Sequence, residues 1–291
     1  MERIAPWLQT NWDRRAAGNF IGGGTGGGLV IFAAASELAG GNPQRWAYLL
    51  AALFIAVGLS LVWIEIGRPW RFIHVFFNPY TSWMTREGFV ALPLFAALAA
   101  AMWYGGAALA IVSALLALVF VYCQGRILRA SHGIPAWREP SIVPLILATA
   151  LVEGAGVLLA LAFIAGAAPG GFVLALALLA LFARWIAWTA YRRSLARRGA
   201  PTAARQALQA IDRPLLVLGT IAPVTLIAAS LGFADYAGPL ALLAGLLGLA
   251  GGWLIKDTIV MRAAFNQGFA VPHMPLLGPV SGDSGIRQGW S

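Results

Sequence analysis

The sequence contains little charge, almost no cysteine and few histidines. Only 11% of its 291 residues are charged and the mean hydropathy is +0.77, whereas a soluble domain carries charge at roughly 25% of positions. The single Cys123 excludes an internal disulfide framework and a Cys-ligated iron-sulfur cluster, because each needs several thiols. Low charge and high hydropathy together identify an integral membrane protein.

Histidine is too scarce to build a redox centre. A bis-His haem needs two His on facing helices at matching depth, but His74, His132 and His273 all fall in loops or in the tail on one face. The same count makes a zinc or di-iron site improbable. We therefore expect no haem and no metal in this chain. The net charge of +9 reflects membrane topology, and we expect no nucleic-acid partner.

Apolar stretches long enough to cross about 30 Å of hydrocarbon occur eight times. Gly and Pro mark tight hairpins at 103–108, 166–171 and 232–238. We predict an all-α polytopic membrane protein with an eight-helix domain over 1–262 and a polar C-terminal tail over 263–291. The predicted spans are approximately 16–39, 45–66, 86–104, 106–126, 141–167, 170–190, 213–232 and 236–262.

Basic residues predict the orientation. Eight spans put both termini on one side, and all but one of the 20 Lys and Arg residues lie in segments of that side or near the adjoining helix ends; the exception is Arg45. The positive-inside rule makes this face, and so both termini, cytoplasmic. Its longest polar connection, 191–214, is interpreted either as a topology anchor with an interfacial helix or as a docking surface for a partner subunit.

Ionisable groups inside a bilayer cost several kcal/mol unless they are paired or hydrated. Glu153 stands about twelve residues into the fifth span, hence about 18 Å deep. It is either a buried carboxyl hydrogen-bonded across a helix interface or a proton-relay or ligand group. Asp257 beside Lys256 is interpreted as an interfacial charge pair, and Glu37 as a solvated carboxylate.

The first span holds six Gly among residues 22–28, within "GNFIGGGTGGGLVIF". Small residues let helix backbones approach closely in a membrane, so one interpretation is a packing face. The other is that the absent side chains leave room for a flat ligand.

Residues 63–88, "WIEIGRPWRFIHVFFNPYTSWMTREG", gather polar and aromatic residues between two apolar spans. This stretch resembles the signature that follows the second helix in the DmsC/NrfD family, the membrane anchors of molybdopterin oxidoreductases of the DMSO-reductase type. The Gly-rich first span and "VYCQGRILRASHGIPAWREPSIVPL" (121–145) are also similar to family segments. The positions that fit the signature are Gly67, Arg68, Pro69, Arg71, Asn78, Ser82, Trp83, Arg86 and Glu87.

The resemblance implies a respiratory role in a bacterial cytoplasmic membrane. Family members exchange electrons between a quinone, ubiquinone or menaquinone, and a four-cluster iron-sulfur subunit that joins them to a molybdopterin catalytic subunit. We expect this chain to be a non-catalytic anchor that supplies the quinone site. Because the motif-bearing face is predicted to be cytoplasmic, the catalytic subunits should be cytoplasmic too, as in sulfite- or phenylacetyl-CoA-oxidising complexes.

The resemblance also implies a site. Where several relatives carry His before the LGRP-like motif, this chain has Glu65, so we predict Glu65 as the proton-handling residue; the alternative is a salt bridge from Glu65 to Arg68 or Arg71. A headgroup pocket needs hydrogen-bond donors, an ionisable group and aromatic walls. The residues predicted to form it are Gly22, Gly26, Arg68, Arg71, His74, Asn78, Trp83 and Arg86.

Two other functions fit parts of the sequence. A secondary transporter or proton-conducting protein would explain Glu153 and the Gly-rich span, but the chain shows no evident inverted repeat. A structural scaffold that has lost its quinone pocket is the third possibility.

Overall fold

The computed structural model describes residues 2–42, 44–65 and 69–271. Within these ranges eight helical segments are long and apolar enough to cross a membrane, which confirms the predicted number of spans. The helices are α1 (Arg14–Leu38), α2 (Arg45–Glu65), α3 (Trp83–Tyr104), α4 (Ala107–Ala130), α5 (Pro135–Arg138), α6 (Ile142–Ile164), α7 (Gly171–Arg197), α8 (Thr202–Ala210), α9 (Asp212–Leu216), α10 (Ala222–Gly232) and α11 (Ala237–Asp257).

Two of the spans contain an irregular turn. A π-helical turn, Val217–Ile221, joins α9 to α10 in the seventh span, and a second one, Thr258–Arg262, extends α11 in the eighth. A 3₁₀ helix, Pro69–Phe77, connects α2 to α3. The 191–214 connection contains the short helix α8, which is compatible with both interpretations of this segment.

Local sequence explains where the helices begin and end. Asp13 accepts a hydrogen bond from the backbone N–H of Arg15 (2.7 Å) and caps α1; its hydrogen bonds with Arg15 also hold the pKa of Asp13 below its ordinary value. Ser82 caps α3 in the same way through Thr85 (3.3 Å). Between α3 and α4 the chain turns through Gly105 and Gly106, whose φ angles of 67° and 99° favour glycine.

Helices α1 and α6 form the centre of the bundle. In their most apolar stretches 67% and 72% of residues are buried, against 28% in α2 and 33% in α3. Helix α1 packs against α2, α4, α6 and α11. Helices α2 and α3 therefore lie at the periphery, where one face of each is open to lipid.

The Gly-rich stretch of α1 is a packing face. A β-carbon on Gly28 would overlap the carbonyl of Ala150 in α6. On the other side, β-carbons on Gly22 and Gly26 would stand 2.6 Å from the carbonyl oxygens of Phe54 and Ala51 in α2. Gly22 and Gly26 thus contact the α2 backbone, and a flat ligand has no room on that side.

The two ends of the described part of the chain meet at one end of the bundle. Strand β1 (Glu2–Ile4) pairs antiparallel with β2 (Phe269–Val271), and the backbone N–H of Gln9 donates to the carbonyl of Ala264 (3.0 Å). This pairing agrees with an even number of crossings. Residues 272–291 of the predicted tail lie outside the described part of the chain.

Candidate functional site

A cavity of about 300 Å³ lies between α2, the 3₁₀ helix and the start of α3. Its walls are almost entirely apolar, and they include the aromatic rings of Trp63, Phe76 and Phe95. Trp63 and Leu92 are 45% and 60% exposed on helices at the periphery of the bundle. The cavity therefore reaches the surface that faces lipid.

Polar contacts fix the 3₁₀ helix over this cavity. The hydroxyl of Thr85 donates to the carbonyl of Val75, and the ring of Phe76 packs edge-to-face on Phe89 at 5.4 Å. Arg86 donates to the carbonyls of Pro79 (2.8 Å) and Tyr80 (2.7 Å) just beyond the helix. These contacts tie the connection between α2 and α3 to the first turns of α3.

Glu87 is the ionisable residue in the cavity wall. It is 3% exposed, its polar neighbour is the side chain of Gln124 in α4, and Gln124 Nε2 donates to the carbonyl of Asn19 in α1 (3.1 Å). Glu87 Oε1 has no hydrogen-bond partner among the described residues. A buried carboxyl oxygen without a partner next to a cavity is well placed to bind a polar ligand atom.

Trp83 lies beside this site rather than in its wall. The guanidinium carbons of Arg86 and Arg126 each lie 4.2 Å from the centre of its ring, and Arg126 also donates to the hydroxyl of Tyr122 (2.6 Å). Trp83 thus forms a cation-π stack with two arginines, which joins the beginning of α3 to α4.

The family model described as polysulfide reductase, of the NrfD type, matches residues 6–272. The chain belongs to this family. NrfD-type proteins are quinone-interacting membrane subunits of molybdoenzyme complexes, and they associate with iron-sulfur and molybdopterin subunits. No match to the chain was found among curated proteins.

The NrfD-type motif of this chain supplies part of the cavity wall, but through residues other than those predicted to form the site. Glu65 ends α2 with Asp13 and Arg15 as its charged neighbours and is absent from the cavity lining. Arg68 and the side chain of Arg71 lie outside the described part of the structure. The role predicted for Glu65 remains a prediction.

The other predicted residues make contacts outside the cavity wall. His74 packs edge-to-face on Phe77 at 5.6 Å, and Asn78 follows the 3₁₀ helix, where its carbonyl accepts from the backbone N–H of Ser82 (3.1 Å). Gly22 and Gly26 contact α2, and Trp83 and Arg86 form the cation-π stack. None of these described residues lines the cavity.

Sequence reasoning missed Glu87 as a site residue, although it fits the NrfD-type motif. A signal was present: Met84, Glu87, Ala91 and Phe95 follow each other at intervals of three or four residues, so they share one face of α3. A single carboxylate on an otherwise apolar helix face indicates a buried polar site.

A second polar cluster lies in the middle of the NrfD-type bundle. Lys256 Nζ lies 2.6 Å from Glu153 Oε2, and both side chains are 0% exposed. Thr25 donates to the same oxygen (3.0 Å), and Trp253 Nε1 donates to the Thr25 hydroxyl (3.0 Å). Glu153 therefore joins three central helices, α1, α6 and α11.

This cluster corrects two expectations. Lys256 does not pair with Asp257 at the interface; it pairs with Glu153, while Asp257 pairs with Arg262 at 3.2 Å. Arg184, counted above with the cytoplasmic helix ends, is 1% exposed and lies within the bundle, where it donates to the carbonyls of Gly248 (2.7 Å) and Gly219. Adjacent helix residues do not face each other, which explains why Lys256 and Asp257 diverge.

Proposed function

We propose that this chain is the quinone-reactive membrane anchor of a molybdopterin iron-sulfur oxidoreductase, and that the quinone headgroup binds in the cavity beside Glu87. The observation that carries the proposal is the apolar cavity open to lipid, with one buried carboxyl whose Oε1 has no partner among the described residues. Its volume of about 300 Å³ is at the small end of the range for ligand pockets, roughly 300–1,000 Å³. It suits a headgroup whose isoprenoid tail remains in the lipid.

A quinone supplies two-electron, two-proton redox chemistry when it is bound. Glu87 holds or receives a proton at Oε1, and Gln124 orients the carboxyl group from α4. Phe76 and Trp63 provide aromatic walls for the ring and exclude water from it. Electrons pass to or from an iron-sulfur partner, so the chain itself needs only to bind and protonate the headgroup.

Glu65 has a different position in this proposal. It lies at the very end of α2, beyond the α2 residues that line the cavity and so closer to the aqueous phase than they are, with Asp13 and Arg15 beside it. A carboxylate there is suited to exchanging protons with water rather than to contacting the headgroup. Glu65 and Glu87 thus allow a direct test of which carboxyl carries the chemistry.

The test compares Glu87→Gln with Glu65→Gln in the purified complex. Glutamine keeps the size of the side chain but cannot exchange a proton. Quinone-linked turnover should fall by about 10²-fold or more in Glu87→Gln, as losses of general acid-base groups do, and by much less in Glu65→Gln. Electron transfer between the catalytic subunit and an artificial acceptor should stay normal in both.

Two outcomes contradict this proposal. If Glu87→Gln keeps normal quinone turnover while Glu65→Gln loses it, the headgroup site lies at the end of α2. If neither variant changes turnover in an assembled complex, neither carboxyl handles the proton.

The orientation is part of the same proposal. We infer that the end of the bundle carrying both chain termini faces the cytoplasm of a bacterial cell and binds cytoplasmic catalytic subunits. The excess of Arg at this end supports it. Reporter fusions at the C-terminus and in the 166–171 hairpin should give opposite signals, with the C-terminus inside; a C-terminus outside the cytoplasm would overturn it.

A further inference from the structure

Lys256 is unusual in this chain because of its residue type and because of its burial. It is the only lysine in the sequence, since every other basic residue apart from His is an arginine. It is also completely buried, with its ammonium group against Glu153. Burying an ion pair costs several kcal/mol per ion, which the attraction repays only with excellent geometry, so the pair calls for a reason beyond stability.

The choice of lysine matters chemically. A lysine ammonium can release a proton when it is buried, whereas an arginine guanidinium stays charged in proteins. Arg184, the second buried cation, interacts electrostatically with Glu153 but hydrogen-bonds only to backbone carbonyls among the described residues. The cluster therefore combines a fixed positive charge with a lysine–carboxylate pair that can change its protonation.

Several buried polar atoms around the pair have no partner among the described residues. They include Glu153 Oε1, Gln124 Oε1, Asn19 Oδ1 and Thr258 Oγ1. Most buried polar atoms are hydrogen-bonded, and internal water supplies the missing partner where no protein group does. These atoms thus mark positions for ordered water in the centre of the bundle.

The glycines of α1 bring this cluster close to the cavity site. A β-carbon on Gly23 would overlap Gln124 Nε2, and one on the next residue, Gly24, would overlap Lys256 Nζ. The two polar side chains therefore lie against successive positions of α1, one from α4 and one from α11. Gln124 is in turn the polar neighbour of Glu87 in the cavity wall.

We propose that the Glu153–Lys256 pair is a proton-transfer site, which exchanges protons with Glu87 through Gln124 and internal water. This inference rests on the proposed function of the cavity. Lys256 releases one proton, Glu87 receives it and passes it to the headgroup oxygen, and the lysine amine takes a replacement proton from the aqueous phase. Reduction of the headgroup takes two electrons, which the iron-sulfur partner supplies, and two protons, so this transfer occurs twice in each reduction. When the headgroup is oxidised, two electrons return to the partner and both proton transfers run in reverse.

The main experiment removes both charges at once, in the double variant Glu153→Leu/Lys256→Met. Replacing a buried ion pair by hydrophobic residues of similar volume is often neutral for stability, whereas removing one partner alone is strongly destabilising. A pair with only a structural role therefore predicts normal turnover in the double variant. We expect quinone-linked turnover to fall by about 10²-fold, with assembly and activity toward an artificial acceptor unchanged.

The matched control is Asp257→Asn/Arg262→Gln, which removes the neighbouring exposed pair (3.2 Å) and should leave turnover normal. A third variant, Lys256→Arg, keeps the positive charge but cannot release a proton, and it should lose turnover like the double variant. Normal turnover in either Lys256→Arg or the double variant overturns the proposal.

The unmodified chain provides a measurement that no folding defect can obscure. Because Lys256 is the only lysine, labelling the full chain with ¹⁵N-lysine gives a single side-chain Nζ resonance. During continuous quinone turnover by the complex in nanodiscs that resonance should broaden, because the amine loses and regains a proton in each cycle, and a resonance that turnover leaves unchanged overturns the inference. If the wild-type complex shows no quinone turnover, the proposed function itself fails. If the complex turns over quinone but the Lys256 resonance does not change, only the proton-transfer inference fails.

Discussion

Glu87 and Glu153, two of the buried carboxyl groups of this bundle, occupy opposite environments. Glu87 lies at the periphery, beside a cavity, with an amide as its polar neighbour. Glu153 lies at the centre, with an ammonium group, a hydroxyl and packed glycines around it. The peripheral helices α2 and α3 leave space and a route from the lipid, whereas the central helices α1 and α6 leave neither. A lipid-soluble ligand can therefore reach Glu87, whereas Glu153 is closed off from the surface among the described residues.

The largest loss of stability is expected from Lys256→Met, which tests the difference between the two carboxyl environments. The substitution leaves Glu153 buried without its cation, and breaking a buried pair in this way costs about 3–5 kcal/mol. Glu87→Gln, which removes no ion pair, should change stability by less than about 1 kcal/mol. Denaturation in mixed micelles, followed by circular dichroism, measures both free energies of unfolding. Equal losses in the two variants would mean that the environments differ less than the structure indicates.

The tight packing of the central helices is tested by Gly28→Ala. A β-carbon there would overlap the Ala150 carbonyl, and overpacking of this kind costs about 1–3 kcal/mol. The control is Gly171→Ala, since a β-carbon on Gly171 would meet no atom within 4 Å. The same denaturation measurement applies. If Gly28→Ala is as stable as the control, α1 and α6 can separate more easily than their glycines indicate.

The open cavity is tested by Ala91→Leu, which adds three carbons to its wall. Because the cavity can accommodate the larger side chain, stability should stay within about 1 kcal/mol. Binding of a quinone analogue, measured by fluorescence quenching, should weaken by about tenfold, which corresponds to about 1.4 kcal/mol. Ala108→Leu, at an exposed position at the other end of the helices, is the control. Unchanged affinity in Ala91→Leu would place the ligand elsewhere.

The smallest effect is expected from Trp83→Leu, beside the cavity. It removes two cation-π contacts, each worth about 0.5–1 kcal/mol at an exposed site. Stability should fall by about 1 kcal/mol, and affinity for the quinone analogue should change little, since Trp83 is outside the cavity wall. Trp103→Leu, which alters a ring that is 79% exposed, is the comparison; a large loss of affinity in Trp83→Leu would mean that the ring contacts the ligand.

Hydropathy, together with Gly and Pro, was sufficient to predict the spans, whereas the orientation drawn from the basic residues stays a prediction. Apolar length determined all eight, and Gly and Pro located the hairpins, because both signals depend on consecutive residues. The packing interpretation of the Gly-rich span was also right, since six glycines in seven positions leave a bare backbone surface for neighbouring helices.

Contacts between distant helices could not be obtained in this way. Lys256 and Asp257 are adjacent in sequence, yet the direction of each side chain on α11 sends one into the bundle and the other toward Arg262. The motif likewise indicated a polar region but not which carboxyl enters the cavity, because that depends on how the 3₁₀ helix folds over α3. Arg184 looked like part of a cytoplasmic end because α7 continues beyond the predicted boundary, to Arg197.

The pairing of β1 with β2 depends on how many times the chain has crossed the membrane during its synthesis. Residues 2–4 leave the ribosome before the eight spans, and their partners 269–271 leave it only after all eight have been made. If any one span failed to insert, the two strands would emerge on opposite sides of the bilayer and could not meet. The ladder therefore forms only in chains that have crossed the membrane an even number of times between these strands, so its closure would distinguish a chain with all eight spans inserted from one that lacks a single span.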